Sequence, residues 1–119
     1  MSEETEGVVG AEGGVPSGVV EIDSDLRPLI PAYVSHRKRD FVAIRRAAAA
    51  DDYETIRILG HGMKNSGANY GLDLVTELGA ELERAGDRSD SQKALAAVER
   101  LEHFLDTVEI RYVDVELWS

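Results

Sequence analysis

Cysteine is absent from this chain of 119 residues, which excludes disulfides, thiol chemistry and cysteine-ligated metals. No apolar run approaches the length of a membrane span, and the first residues lack the basic and apolar regions of a signal peptide. These absences predict a cytoplasmic protein that does not associate with a membrane.

Basic residues are also scarce. The 13 Lys and Arg are outnumbered by 23 Asp and Glu, and the net charge is −10. Binding to a phosphate backbone needs clustered cations, so this balance argues against a nucleic-acid partner and is compatible with a solvated monomer. Neither Gly-x-x-x-x-Gly-Lys-Ser/Thr nor Gly-x-Gly-x-x-Gly occurs. The chain is therefore not predicted to bind ATP or to act as its own kinase.

What the sequence does contain is helical periodicity in a chain of the size of one domain. It predicts a short helix capped by Asp23 or Ser24, a break near Pro31, and four longer helices. The first of the longer helices is predicted to end near Ala50. The second and third span about 53–69 and 72–85, and the fourth starts near Ser91. The expected fold is all-α, an antiparallel up-down four-helix bundle with a short extra N-terminal helix. The bundle is predicted over residues 21–115, between a flexible N-terminal tail (1–20) and a C-terminal tail (116–119).

The last helix is predicted to bury Leu95 and to continue as far as Val115. The alternation of Ile110 and Tyr112 would also suit a short strand, but the longer helical period is preferred.

The segment from His61 to Gly71 carries the clearest functional signal. On a helical wheel with His61 at 0°, a buried stripe of Ile56, Leu59, Met63 and Tyr70 lies between roughly 160° and 220°. His61 is thus on the exposed face of a central helix. Close approach of another backbone or of a partner is a reason for several glycines in this helix, despite a cost of about 0.5–1 kcal/mol each relative to alanine.

This segment resembles the histidine phosphotransfer domain family, four-helix bundles that relay phosphoryl groups in two-component signalling. The resemblance covers about residues 22–112. It rests on His61-x-x-Lys64, on the small residues Ser66 and Gly67, and on Gly71 ten positions after the histidine. The family usually has glycine after the lysine, where this chain has Asn65.

The resemblance implies a phosphocarrier rather than an enzyme. Imidazole has an unperturbed pKa of about 6.5, so it is available as a nucleophile at neutral pH. His61 would accept a phosphoryl group from a receiver-domain aspartate or from a sensor histidine kinase in trans and pass it to a response-regulator aspartate. Lys64, at i+3, would stabilise the phosphoryl oxygens.

The remaining positions of the segment are assigned to docking or to structure. Arg57, Gly60, Asn65 and Ala68 are predicted to meet the partner, and Ser66, Gly67 and Gly71 to form a structural motif. No cofactor is expected in the chain, because the receiver would carry the magnesium. No metal site is expected either, since the acidic residues near His103 do not form the Glu-x-x-His pair of a di-metal bundle.

Two alternatives remain open from the sequence. The bundle could be a docking module that binds a receiver or another helical partner without phosphotransfer. It could also be a phosphatase-like regulator that removes phosphate from a receiver without forming phosphohistidine. The basic stretch around Arg37 and Arg45 is read as a solvated helix face, with contact to an acidic receiver surface as the other reading.

Overall fold

The computed structural model describes residues 18–114, and within them four α-helices form a bundle. The helices are α1 (Ile30–Ala49), α2 (Tyr53–Ser66), α3 (Asp73–Asp87) and α4 (Ser91–Thr107). Short 3-10 helices span Ser24–Leu29 and Ala68–Tyr70. Two strands, β1 (Val19–Asp23) and β2 (Glu109–Val113), flank the helices in the chain. The predicted helical bundle is confirmed.

Local chemistry sets several of these boundaries. Asp52 and Asp90 cap α2 and α4, where their carboxylates accept hydrogen bonds from Thr55 N and Lys93 N at 3.2 and 3.1 Å. Gly71 has φ of 77°, the left-handed conformation that is typical of a glycine at the end of a helix. Pro31 lies in the first turn of α1, so the expected break falls between the first 3-10 helix and α1.

The core is a continuous apolar cluster between the helices and β1. Its members with less than 2% exposure and the largest side chains come from the four α-helices, from β1 and from Leu72, which caps α3: Phe41, Ile22, Ile44, Ile56, Met63, Leu72, Leu78, Leu82, Leu101, Val75 and Val98. Alanines of α4, Ala94 and Ala97, complete the contact of that helix with the others. Leu95 is 40% exposed, so its predicted burial is wrong: α4 presents Ala94 and Ala97 to the core instead.

The chain leaves helical geometry after Thr107, and the predicted continuation to Val115 is wrong. Val108 is extended, and residues 109–113 pair in parallel with β1 in the register Val19↔Glu109 to Asp23↔Val113. The hydrogen bonds of this pair join residues from opposite ends of the described chain. A helical period read from neighbouring residues contains no information about such a partner.

The boundary of the N-terminal tail is corrected in the same way. Val19 and Val20, assigned to the tail, lie in β1, whose Ile22 is buried in the core. The tail predictions for residues 1–17 and 116–119 fall outside the described residues. Within residues 18–114, no helix is both long enough and apolar enough to cross a membrane.

Candidate functional site

The site is built on an unusually close contact between α2 and α3. A Cβ atom on Gly60 would lie 2.6 Å from Glu83 N, and one on Gly79 would lie 2.5 Å from Lys64 N. A Cβ on Gly86 would lie 2.6 Å from Arg57 N. No side chain fits at these three positions without moving a backbone, so the two helices meet backbone to backbone.

This contact brings Glu83 of α3 beside His61 and Lys64 of α2. His61 Nδ1 lies 2.9 Å from Glu83 Oε2, and Lys64 Nζ lies 2.8 Å from Glu83 Oε1. One carboxylate therefore binds both side chains of the His-x-x-Lys motif. The Glu83 side chain is only 19% exposed, whereas that of His61 is 52% exposed, so the carboxylate lies beneath the ring and the ring faces solvent.

The hydrogen bonds of the ring define its tautomer. An ionised carboxylate can only accept, so His61 Nδ1 carries the hydrogen that is donated to Glu83. The other ring nitrogen, Nε2, lies 2.9 Å from Asn65 Nδ2, which donates to its lone pair. In this arrangement Nε2 is the nucleophilic nitrogen of the neutral ring, and it faces away from α3.

The contacts of Glu83 with Lys64 and His61 also determine its charge. Hydrogen bonds from Lys64 and then from His61 hold the pKa of the Glu83 carboxyl below its usual value. Glu83 is consequently an anion at neutral pH. It offsets the charge of Lys64 and can stabilise a positive charge that develops on the ring of His61.

Small and apolar groups surround the ring on its solvent side. Gly62 has open space where a Cβ would be, and Ala68 is exposed. Ile58, three residues before His61, is 52% exposed. Three residues correspond to about 300° of helical rotation, so Ile58 projects within about 60° of His61. Together Ile58, His61, Gly62, Asn65 and Ala68 form the surface that we call the histidine face.

One of the predicted docking residues, Gly60, is placed differently by the structure. Gly60 is buried against α3 and is not part of the histidine face, so its assignment to partner docking is wrong. Close approach of a second helix of the same chain explains this glycine. Arg57 is half exposed and forms an ion pair with Glu54 at 2.7 Å, which raises the pKa of the guanidinium.

The residues assigned to a structural motif hold the end of α2. Ser66 Oγ and Tyr33 Oη share a hydrogen bond of 2.7 Å, and the ring of Tyr33 stacks on that of Tyr70 with centroids 4.2 Å apart. Gly67 is buried, and a Cβ there would lie 2.6 Å from Thr76 N. These contacts join the segment after the histidine to α1 and α3.

The basic residues of α1 are mostly engaged within the domain. Lys38 pairs with Asp106 at 2.8 Å and Arg45 with Glu102 at 2.7 Å, and both pairs link α1 to α4. Such exposed pairs each contribute about 0–1 kcal/mol. Among residues 18–114, there is no group of three or more His, Asp or Glu side chains arranged to hold a metal ion.

Two residues of the site were missed from the sequence, namely Glu83 and Ile58. A signal for Glu83 was present: Gly60 and Gly67 are spaced by seven, as are Gly79 and Gly86, which is typical of two helices in close contact. Glu83 lies four residues after Gly79, on the same side of α3. Ile58 could have been found from the same helical wheel that placed His61 on the exposed face.

With this geometry described, the comparisons with known proteins identify the class. The profile of the Hpt domain, the histidine phosphotransfer domain, matches residues 33–110. That is more than half of the chain, and the protein belongs to the Hpt domain family. Members of this family are phosphocarrier modules of phosphorelays, where they interact with receiver domains and kinases. Comparisons with curated proteins and with solved structures gave no match.

Proposed function

We propose that His61 is the phosphoacceptor of this Hpt domain. It receives a phosphoryl group from a receiver-domain aspartate, or from a sensor histidine kinase in trans, and donates it to the aspartate of a response regulator. The observation that carries the proposal is the half-exposed ring, with its Nδ1 hydrogen held by Glu83 and with its Nε2 meeting only the exposed amide of Asn65 among the hydrogen-bonding side chains.

The transfer step follows from the tautomer. The Nε2 lone pair attacks phosphorus and forms an N–P bond, while the bond from phosphorus to the acyl oxygen of phospho-aspartate breaks and the aspartate leaves as a carboxylate. The ring keeps its Nδ1 hydrogen and becomes positively charged. Glu83, a partly exposed carboxylate at 2.9 Å from Nδ1, stabilises that charge.

Lys64 supplies the cation at this site. Its ammonium group forms an ion pair with Glu83, the carboxylate that also binds the His61 ring, and Lys64 lies one helical turn after His61 in α2. A short movement of a flexible side chain would bring it to the phosphoryl oxygens, where positive charge stabilises the transferring group. The magnesium ion that accompanies phosphoryl transfer belongs to the receiver partner in this proposal, and this chain acts as a carrier without a cofactor of its own.

The histidine face is the proposed docking surface for the receiver. Gly62 and Ala68 leave room for a partner backbone near the ring, and Ile58 offers an apolar contact. Asn65 and the half-exposed Arg57 lie at its polar side. An apolar contact surrounded by polar groups is the usual composition of a transient protein interface.

The experiment that tests the proposal is phosphorylation with the small donor phosphoramidate. We expect the wild type to give an acid-labile, base-stable phosphorus NMR signal and His61→Ala to give none. His103→Ala, which removes an exposed histidine of α4, is the matched control and should label like the wild type. If the wild type fails to label while a known histidine phosphoprotein does, His61 is not an acceptor, and the domain is a docking module.

A further inference from the structure

Asn65 stands directly in front of the nitrogen that the proposed function requires to react. Its amide nitrogen lies 2.9 Å from His61 Nε2, a hydrogen bond between residues one helical turn apart. The imidazole ring has one lone pair on this nitrogen, in the plane of the ring. The amide hydrogen therefore occupies the direction along which a phosphorus atom must approach.

The hydrogen bond from Asn65 and the attack of Nε2 on phosphorus also exclude each other for steric reasons. A phosphorus atom in position for attack lies about 3–3.5 Å from the nucleophile. The amide nitrogen, at 2.9 Å from Nε2, already lies within that distance. Asn65 must move before the N–P bond can form. Its side chain is exposed, so the amide can rotate into solvent, and the loss is that of one hydrogen bond.

The hydrogen bond acts on only one form of the protein. In the dephosphorylated form, Nε2 has a lone pair and the amide stabilises the ring. In the phosphorylated form that electron pair is in the N–P bond, and nothing remains at Nε2 to accept a hydrogen. The contact thus lowers the free energy of the dephosphorylated form relative to phosphohistidine.

We propose that Asn65 is a positioning residue that competes with the phosphoryl group for His61 Nε2, so that the domain is biased toward giving its phosphoryl group to the receiver. This inference rests on the proposed function of His61. A net hydrogen bond of ordinary strength corresponds to a factor of about two to ten. Asn65→Ala should raise both the rate of phosphorylation by phosphoramidate and the equilibrium fraction of phosphohistidine against a receiver by that factor.

Two further variants make the comparison specific. Asn65→Asp has the same shape, but it replaces the donor at Nε2 with an acceptor, so the ring would hold a hydrogen on both nitrogens between two carboxylates. Its phosphorylation rate should fall about tenfold or more below that of the wild type. Asn69→Ala is the matched control, because it removes an exposed amide of the next turn that binds the Asn65 carbonyl oxygen and does not touch the ring. It should react at the wild-type rate.

Nitrogen NMR of the His61 ring provides a readout that needs no phosphorylation. We expect the neutral ring of the wild type to carry its hydrogen on Nδ1, with Nε2 shifted by a hydrogen bond that is lost in Asn65→Ala. A neutral ring with its hydrogen on Nε2 would overturn the inference, as would phosphorylation of Asn65→Ala at or below the wild-type rate. Failure of the wild type itself to label would instead refute the proposed function.

Discussion

Gly60 of α2 and Gly79 of α3 lie opposite each other, and a Cβ atom built on either would stand 2.9 Å from the carbonyl oxygen of the other. The contact is reciprocal and involves backbone atoms on both sides. Each glycine is close in the chain to a residue of the candidate site: His61 follows Gly60, and Glu83 comes one turn after Gly79. The close approach of the helices is what sets the distance between the ring and the carboxylate.

A first prediction concerns this contact and the stability of the bundle. Gly60→Ala should lower the free energy of unfolding by about 1–3 kcal/mol, because the added methyl group overlaps the backbone of α3. Gly62→Ala is the matched control in the same helix. It meets open space and should stabilise the protein by about 0.5–1 kcal/mol through its higher helix propensity. Urea denaturation of the two variants measures both values, and equal effects would contradict the contact.

A second prediction concerns the carboxylate in phosphotransfer. Glu83→Gln keeps an oxygen that can accept the Nδ1 hydrogen but removes the negative charge that stabilises the cationic phosphorylated ring. We expect the rate of labelling by phosphoramidate to fall about ten- to a hundredfold. Glu81→Gln, on the exposed side of the same helix and 3.9 Å from Arg100, should label at the wild-type rate. Normal labelling of Glu83→Gln would show that the carboxylate is only structural.

A third prediction concerns the pH dependence of stability. Because Lys64 and His61 lower the pKa of Glu83 in the folded protein, the unfolded chain, with a carboxyl pKa of about 4.3, binds a proton first as the pH falls. The stabilisation from Glu83 is thus fully present above the pKa of the unfolded chain and is lost as the pH falls through the lower pKa of the folded protein. The difference in unfolding free energy between wild type and Glu83→Gln should therefore be largest above about pH 5 and should shrink toward pH 3. A series of urea titrations from pH 6 to pH 3 measures it, and a difference that grows on acidification would contradict the assignment.

A fourth prediction separates docking from chemistry on the histidine face. Ile58→Asp places a charge where an apolar contact is proposed, so phosphotransfer to a receiver that accepts from the wild type should slow about tenfold or more. Labelling by phosphoramidate should be unchanged, because the small donor needs no protein interface. Leu95→Asp makes the same change at an exposed leucine of α4 and should leave both reactions unaffected. If Ile58→Asp transfers normally, the receiver does not use this residue.

A fifth prediction concerns β1, which precedes the region matched by the Hpt profile. Ile22 is 1% exposed and packs against Gly71, so Ile22→Ala should cost about 2–5 kcal/mol of unfolding free energy. Leu29→Ala, at a side chain that is 51% exposed, should change stability by less than about 1 kcal/mol. Thermal and urea unfolding of the pair test whether β1 belongs to the cooperative fold.

The helices could be predicted from the sequence because their signals are local. Apolar side chains at helical spacing, the caps at Asp52 and Asp90, and the left-handed Gly71 are all defined by residues close together in the chain. The exposure of His61 follows from the same periodicity, because the buried stripe of α2 lies on the opposite side.

The strands and Glu83 were missed because they depend on contacts between distant parts of the chain. β2 has a strand-like alternation too short to outweigh the helical period before it, and only its partner β1 makes it a strand. In the sequence, Glu83 is one of many acidic residues, and its role depends on the packing of α3 against α2. Leu95 was misjudged for a related reason: it lies at the edge of the buried side of α4, where Ala94 and Ala97 pack inward beside Val98.

The parallel pairing of β1 with β2 has a mechanical consequence. The chain enters β1 at Val19 and leaves β2 at Val113, and these residues lie at opposite ends of the paired strands. Tension applied through the flanking segments would pull the two strands past each other along their length. This force would load the hydrogen bonds of the pair together rather than breaking them one after another. We therefore expect the pairing of β1 with β2 to resist mechanical unfolding of the helices that lie between the two strands in the chain.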